Sequence, residues 1–216
     1  MTTHTTTAGR QPSETPTAVR GISALRHPVV SGGLIGVIGG TAFLFAGLSG
    51  VSSPTQGPLR GLAAALATFT LAVILFRRRV LPELRPPAPG AARVYGVAVV
   101  VMLLLMPVTR LVAQALHAPT AQSALVAAVV GAHFLPFARV FHAPVFWWIG
   151  GSMVALGLCG ALLAVLGMHV AGPAGAAAAG AAMLVSVAAQ AFRQHAPGTT
   201  AATEQSAAWP NPGSRP

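Results

Sequence analysis

His133 lies in Gly131-Ala132-His133-Phe134-Leu135-Pro136-Phe137-Ala138-Arg139 and is the one histidine well inside an apolar run. An ionisable side chain in such a place is a candidate proton relay, or a candidate ligand for a metal or haem. Pro136, three residues further on, has no N–H to give, so it weakens the helix and frees a carbonyl near the imidazole. Gln122 precedes His133 by eleven residues, which puts both on one helix face. Arg139 ends the run. The competing reading is a neutral histidine, hydrogen-bonded to a neighbouring helix and fixing its packing. No carboxylate stands in the runs to partner a relay, which favours packing.

Arg110, Gln114 and His117 form a second constellation, with spacings of four and three that place them on one helix face. They would suit an anion or substrate site facing an outward cavity. Their plainer role is a snorkelling arginine with polar neighbours. Arg110 lies ~24 Å along a helix from Val94, close to the far headgroups, and no acid is at hand to neutralise it in the interior. The methionines are scattered. His117 and His169, without acids or cysteines, make a weak metal site. The single cysteine, Cys159, allows no intrachain disulfide and reads as a small packing residue. No nucleophile elbow, zinc-protease motif or nucleotide loop occurs in a plausible context. No catalytic residue, metal or cofactor is expected.

These residues need elements to hold them. The chain has 216 residues, is 54% hydrophobic and only 7% charged. Asp is absent, and Glu14, Glu83 and Glu204 fall outside the apolar runs. Such a chain cannot coat itself in a polar surface, so its solvent is expected to be lipid. Six runs are long enough to cross a bilayer, at about 29–50, 60–76, 94–116, 120–140, 145–170 and 173–192. Each must be helical, because backbone groups in hydrocarbon need partners within their own segment. Pro54 and Pro58 are placed in a loop before the second run. The expected fold class is all-α, an integral membrane bundle of six helices over 28–193. The tails 1–27 and 194–216 bury too little apolar area to pack and are expected to be disordered. The first run, longer than a signal h-region, reads as a retained span.

Arginine sets the expected orientation. With both termini inside, eleven of the thirteen arginines lie on the cytoplasmic side, including Arg77, Arg78, Arg79, Arg93, Arg139 and Arg193, and only Arg60 and Arg110 lie outside. The lack of Lys alongside abundant Ala, Gly and Pro has the look of a GC-rich genome and carries no functional meaning. The net charge of +10 has no basic groove with interleaved aromatics behind it, so nucleic acid is not expected. Anionic lipid headgroups at the cytoplasmic arginines are the expected contacts. Phe141, Phe146, Trp147 and Trp148 read as an interfacial anchor.

Small residues recur at helix-packing intervals: Gly32, Gly36 and Gly40; Gly172, Ala176 and Gly180; Gly150 and Gly157; Gly160 and Gly167. Such rows let backbones approach closely. No internal repeat relates the first three runs to the last three.

Gly131, His133, Phe134, Pro136 and Ala138, then Arg139, then Phe146, Trp147, Trp148 and Gly150, form a pattern. It resembles a stretch, Gly-x-His-Phe-x-Pro-x-Ala, found in an uncharacterised family of small bacterial membrane proteins of about six spans. The resemblance covers about twenty residues and the span pattern. It implies a shared fold and no activity. The expectation is a multi-pass protein of a bacterial cytoplasmic membrane, a non-enzymatic scaffold or accessory component partnered by a second copy or another membrane protein. The alternative is a small transporter or channel using His133. A water-accessible cavity joining His133, Gln122, Ser152 and Ser186 favours the transporter; separate packing of these groups favours the scaffold.

Overall fold

A computed structural model describes residues 18–19, 28–50, 53–77, 79–80 and 89–193. Six helices form, α1 Pro28–Leu48, α2 Ser53–Phe76, α3 Ala91–Ala115, α4 Gln122–Val140, α5 Val145–Val165 and α6 Ala171–Arg193. A single 3-10 turn, Pro119–Ala121, leads into α4. All six helices are long and apolar enough to cross a membrane. The tails lie outside the described residues except for Ala18–Val19 (β1), which pair antiparallel with Arg79–Val80 (β2). The stretch before α1 and the stretch after α2 therefore meet on one face of the bundle, called here the connector face.

The second helix starts earlier than expected. Pro54 and Pro58 are helical, not in a loop. A proline costs little in a first turn, where N–H groups have no acceptor. Pro58 forfeits only a bond to the Pro54 carbonyl, at the frayed start of the helix. Gln56 Nε2 donates to Leu48 O at 3.2 Å and ties that start to the end of α1. Arg60 consequently sits in the second turn of α2, exposed, and must snorkel along it.

Three helices end alike. His117, His142 and Gly167 take left-handed φ values of 51°, 50° and 96° after α3, α4 and α5. Ala118 N, Ala143 N and Met168 N then donate back to Ala113 O, Ala138 O and Leu163 O at 2.9, 3.2 and 2.9 Å. This is the Schellman arrangement, which satisfies carbonyls the helix leaves unpaired. Pro119 and Pro144 follow two residues after the left-handed histidines and prevent the helix from resuming. The fifth helix thus stops at Val165, short of the expected 170.

Short turns make α1 and α2, and each successive pair from α3 to α6, antiparallel neighbours. α6 is the central element: it packs against α1, α5, α4 and α2, and 56% of its spanning window is buried. α3 packs on α4 and the 3-10 turn, and only 11% of its window is buried. Leu184, Met183, Val187, Met153, Ile74 and Val30 anchor the core, to which α3 adds nothing. A second cluster, Ala118, Ala121, Ala124, Ala161 and Ala164, closes the opposite face of the bundle.

Glycine decides the closest approaches. A methyl on Gly180 would meet Gly40 O at 2.5 Å and Leu44 N at 2.6 Å, so α1 and α6 touch backbone to backbone. On Gly175 it would meet Gly160 Cα at 2.9 Å, and on Gly157 the Ala124 carbonyl at 2.6 Å. The rows on α5 and α6 therefore serve as seams, with two corrections. Gly32 faces open space, and the α1 row runs through Gly36, Gly40 and Gly47. Gly167 is a turn residue with nothing within 4 Å. Helix rotation explains the first, since spacing alone cannot say which of several glycines points inward, and the end of α5 at Val165 explains the second.

Candidate functional site

α4 carries the Gly-x-His-Phe-x-Pro-x-Ala stretch and divides it between two faces. Gly131, Phe134 and Ala138, at i, i+3 and i+7, face α5. A methyl on Gly131 would lie 2.9 Å from Gly150 O, and Phe134 stacks on Phe146 with centroids 6.0 Å apart. Ala132, His133 and Pro136 turn the other way and form one wall of a groove against α3. The opposite wall is Arg93, Val94, Val97, Ala98, Val101, Met102 and Leu105, and Val129 completes the lining. The groove has a volume of about 450 Å³ and continues into a hollow of about 310 Å³ that shares Leu105, Val129 and Ala132.

His133 is half-buried. Its Nδ1 lies 2.5 Å from Val130 O. A carbonyl only accepts, so Nδ1 carries the hydrogen and Nε2 is left as the acceptor. The ring lies 4.2 Å from Phe134 and meets Phe137 edge-on at 5.3 Å. The imidazole is therefore held by its own helix, not by a hydrogen bond to a neighbour as the packing reading expected. Pro136 deprives Ala132 of its usual helical donor, yet His133 uses the Val130 carbonyl, one turn back on its own face.

The other candidates do not join it. Gln122 is the first residue of α4, half-buried, and its N–H bonds Pro119 O. It lies ~16 Å along the axis from His133 and lines neither the groove nor the hollow. Ser152 donates to Ile149 O at 3.1 Å and Ser186 to Ala182 O at 2.7 Å, each within its own helix. Arg139 is exposed at the C-terminal end of α4, where a cation suits the helix dipole, and its guanidinium lies 5.1 Å from the Trp147 ring. Trp148 is 70% exposed, as an interfacial residue would be.

Arg110, Gln114 and His117 are all exposed, and none of them lines the groove or the hollow. His117 lies past the end of α3 with a positive φ, so helical spacing does not put it on the Arg110 face. Cys159 is exposed on α5 and is not the small packing residue expected of it. Among the described residues no three metal-binding side chains come together. Those residues also include no Asp or Glu, so no arginine pairs with a carboxylate among the described residues.

Two structural features went unread in the sequence. Tyr95 stacks on Phe137 at 5.3 Å and pins α3 to α4 at the connector face. Arg77 caps the Phe192 ring at 4.2 Å, joining the ends of α2 and α6. A signal for the turns was present: His117-Ala118-Pro119 and His142-Ala143-Pro144 repeat the same tripeptide at two helix ends. No family model, curated protein sequence or solved structure matches the chain.

Proposed function

We propose that this is a non-enzymatic scaffold or accessory component of a bacterial cytoplasmic membrane, acting through helix packing. One observation carries the reading. Four polar groups inside the spans are spent on their own helices, His133 on Val130 O, Ser152 on Ile149 O, Ser186 on Ala182 O and Thr70 on Leu66 O, while Thr41 Oγ1 in α1 is buried without a partner. A transport path needs such groups turned toward a shared aqueous route. Meanwhile α3 presents Val97, Val100, Leu104, Val108 and Leu111 outward, a surface suited to another helix as well as to lipid. The resemblance of Gly131–Ala138 to a stretch of small six-span bacterial membrane proteins suits the same setting, and the arginine asymmetry supports cytoplasmic termini with anionic headgroups beside them.

Disulfide crosslinking in native membranes tests this. With Cys159→Ser as background, Leu104→Cys should give a discrete adduct with a second copy or with another membrane protein. A chain that stays uncrosslinked, yet drives a proton or solute flux in proteoliposomes that His133→Gln abolishes, sinks the scaffold in favour of a transporter. The one observation favouring that transporter is that His133 lines a groove at all.

A further inference from the structure

α3 packs on α4 with an open groove along part of the seam. At the connector face Tyr95 stacks on Phe137. Toward the other face Thr109 and Ala113 are buried, and Thr109 lines the hollow into which the groove continues. The groove lies between, walled by Val97, Val101 and Leu105 on one side and Val129 and Ala132 on the other. Several of these residues are exposed, so the groove opens sideways to the surroundings of the bundle. From Arg93 to Leu105 it runs ~18 Å along α3, a little over half of a bilayer core of ~30 Å. One leaflet's acyl chain has that reach.

The mouth has a charge that the apolar wall does not explain. Arg93 is exposed at the start of α3, and among the described residues there is no carboxylate to meet it. Gly90 O accepts from Arg93 N at 2.9 Å and Val94 N at 3.1 Å, and the positive end of the α3 dipole faces the same way. A guanidinium at the positive end of a helix complements a phosphate. We infer that the α3–α4 groove is a binding site for a single anionic phospholipid, its phosphate at Arg93 and one acyl chain lying between Val101 and Ala132. The lipid fills space that would otherwise leave the two walls without contact atoms. This site rests on membrane embedding alone. It stands or falls independently of the scaffold reading and of which leaflet the connector face meets.

The full chain, purified in a neutral detergent, is titrated with phosphatidylglycerol or phosphatidylcholine and read by native mass spectrometry and thermal melting. One phosphatidylglycerol should be retained and raise the melting temperature, and phosphatidylcholine should do neither. Arg93→Gln should weaken retention about fivefold, the worth of one basic residue near a lipid surface. Arg110→Gln should leave it unchanged. Ala132→Phe, at an exposed wall position, should displace the lipid; if that variant folds poorly, Ala98→Phe on the facing wall makes the same test. Glycerol phosphate, a headgroup without chains, should not compete. Equal retention of the two lipids overturns the site, as does full competition by glycerol phosphate or unaltered binding by both Arg93→Gln and a filled groove.

Discussion

Gly131 of α4 and Gly150 of α5 face each other so closely that a methyl on either would sit within 2.9 Å of the other's carbonyl oxygen. Backbone stands in the way on both sides, and backbone cannot swing away as a flexible side chain can. Alanine is a better helix former than glycine, so propensity alone would reward the change. Contact reverses the sign. Gly150→Ala should destabilise the bundle by about 1–3 kcal/mol, the usual cost of overpacking. Gly151→Ala, one residue on with nothing within 4 Å, should be neutral or mildly stabilising. Thermal melts of the two variants in one detergent compare them, and equal melts would mean α4 and α5 do not pack at this seam.

The α1–α6 seam makes a similar contrast. A methyl on Gly36 already lies 2.9 Å from Val187 Cγ2, so Gly36→Leu should cost more stability than Leu34→Ala. Gly32→Leu, pointing into open space, should be harmless although it belongs to the same four-residue row. If Gly32→Leu proves the more damaging of the two leucine variants, the rotation of α1 assigned here is wrong.

His133 holds its own helix through one hydrogen bond to Val130 O. His133→Asn, whose amide can donate to the same carbonyl, should melt near the parent protein. His133→Leu should lose about 0.5–1.5 kcal/mol, one hydrogen bond's net worth. A pH-dependent flux across proteoliposomes, removed by both substitutions at unchanged stability, is the result that would replace this structural role with a relay.

Left-handed backbone at His117 and His142 predicts an unusual tolerance. Glycine fits that conformation without the side-chain clash, so His117→Gly should be neutral or stabilising. His117→Val places a β-branched side chain at positive φ and should cost about 1–2 kcal/mol. The same order should hold at residue 142. Melting temperatures that rank valine above glycine would show that these turns are not Schellman turns.

The arginine distribution predicts a cytoplasmic C-terminus. A reporter active only outside the membrane, fused after Pro216, should be silent. Strong activity from that fusion would invert the topology.

The chain's own residues determined the solvent and the number of crossings. Hydropathy is a local property: a run of apolar residues must be helical in hydrocarbon whatever its neighbours are, and six such runs appear at nearly the expected places. The exceptions are also local. α2 begins at Ser53 because its prolines fall where donors are unneeded, and α5 ends at Val165 because Gly167 reverses the chain. Which helix lies beside which was not legible, and for a physical reason. Lipid tails are as apolar as leucine, so burial against protein and burial against lipid leave the same mark on a sequence. Only the tertiary structure chose α6 as the centre and left α3 at the edge, and only helix rotation separated Gly36 from Gly32. The same holds for the candidate site. His133 and Pro136 stood out as residue types, but their groove exists because Arg93, Val97 and Val101, about thirty-five residues away in the chain, come to lie across from them.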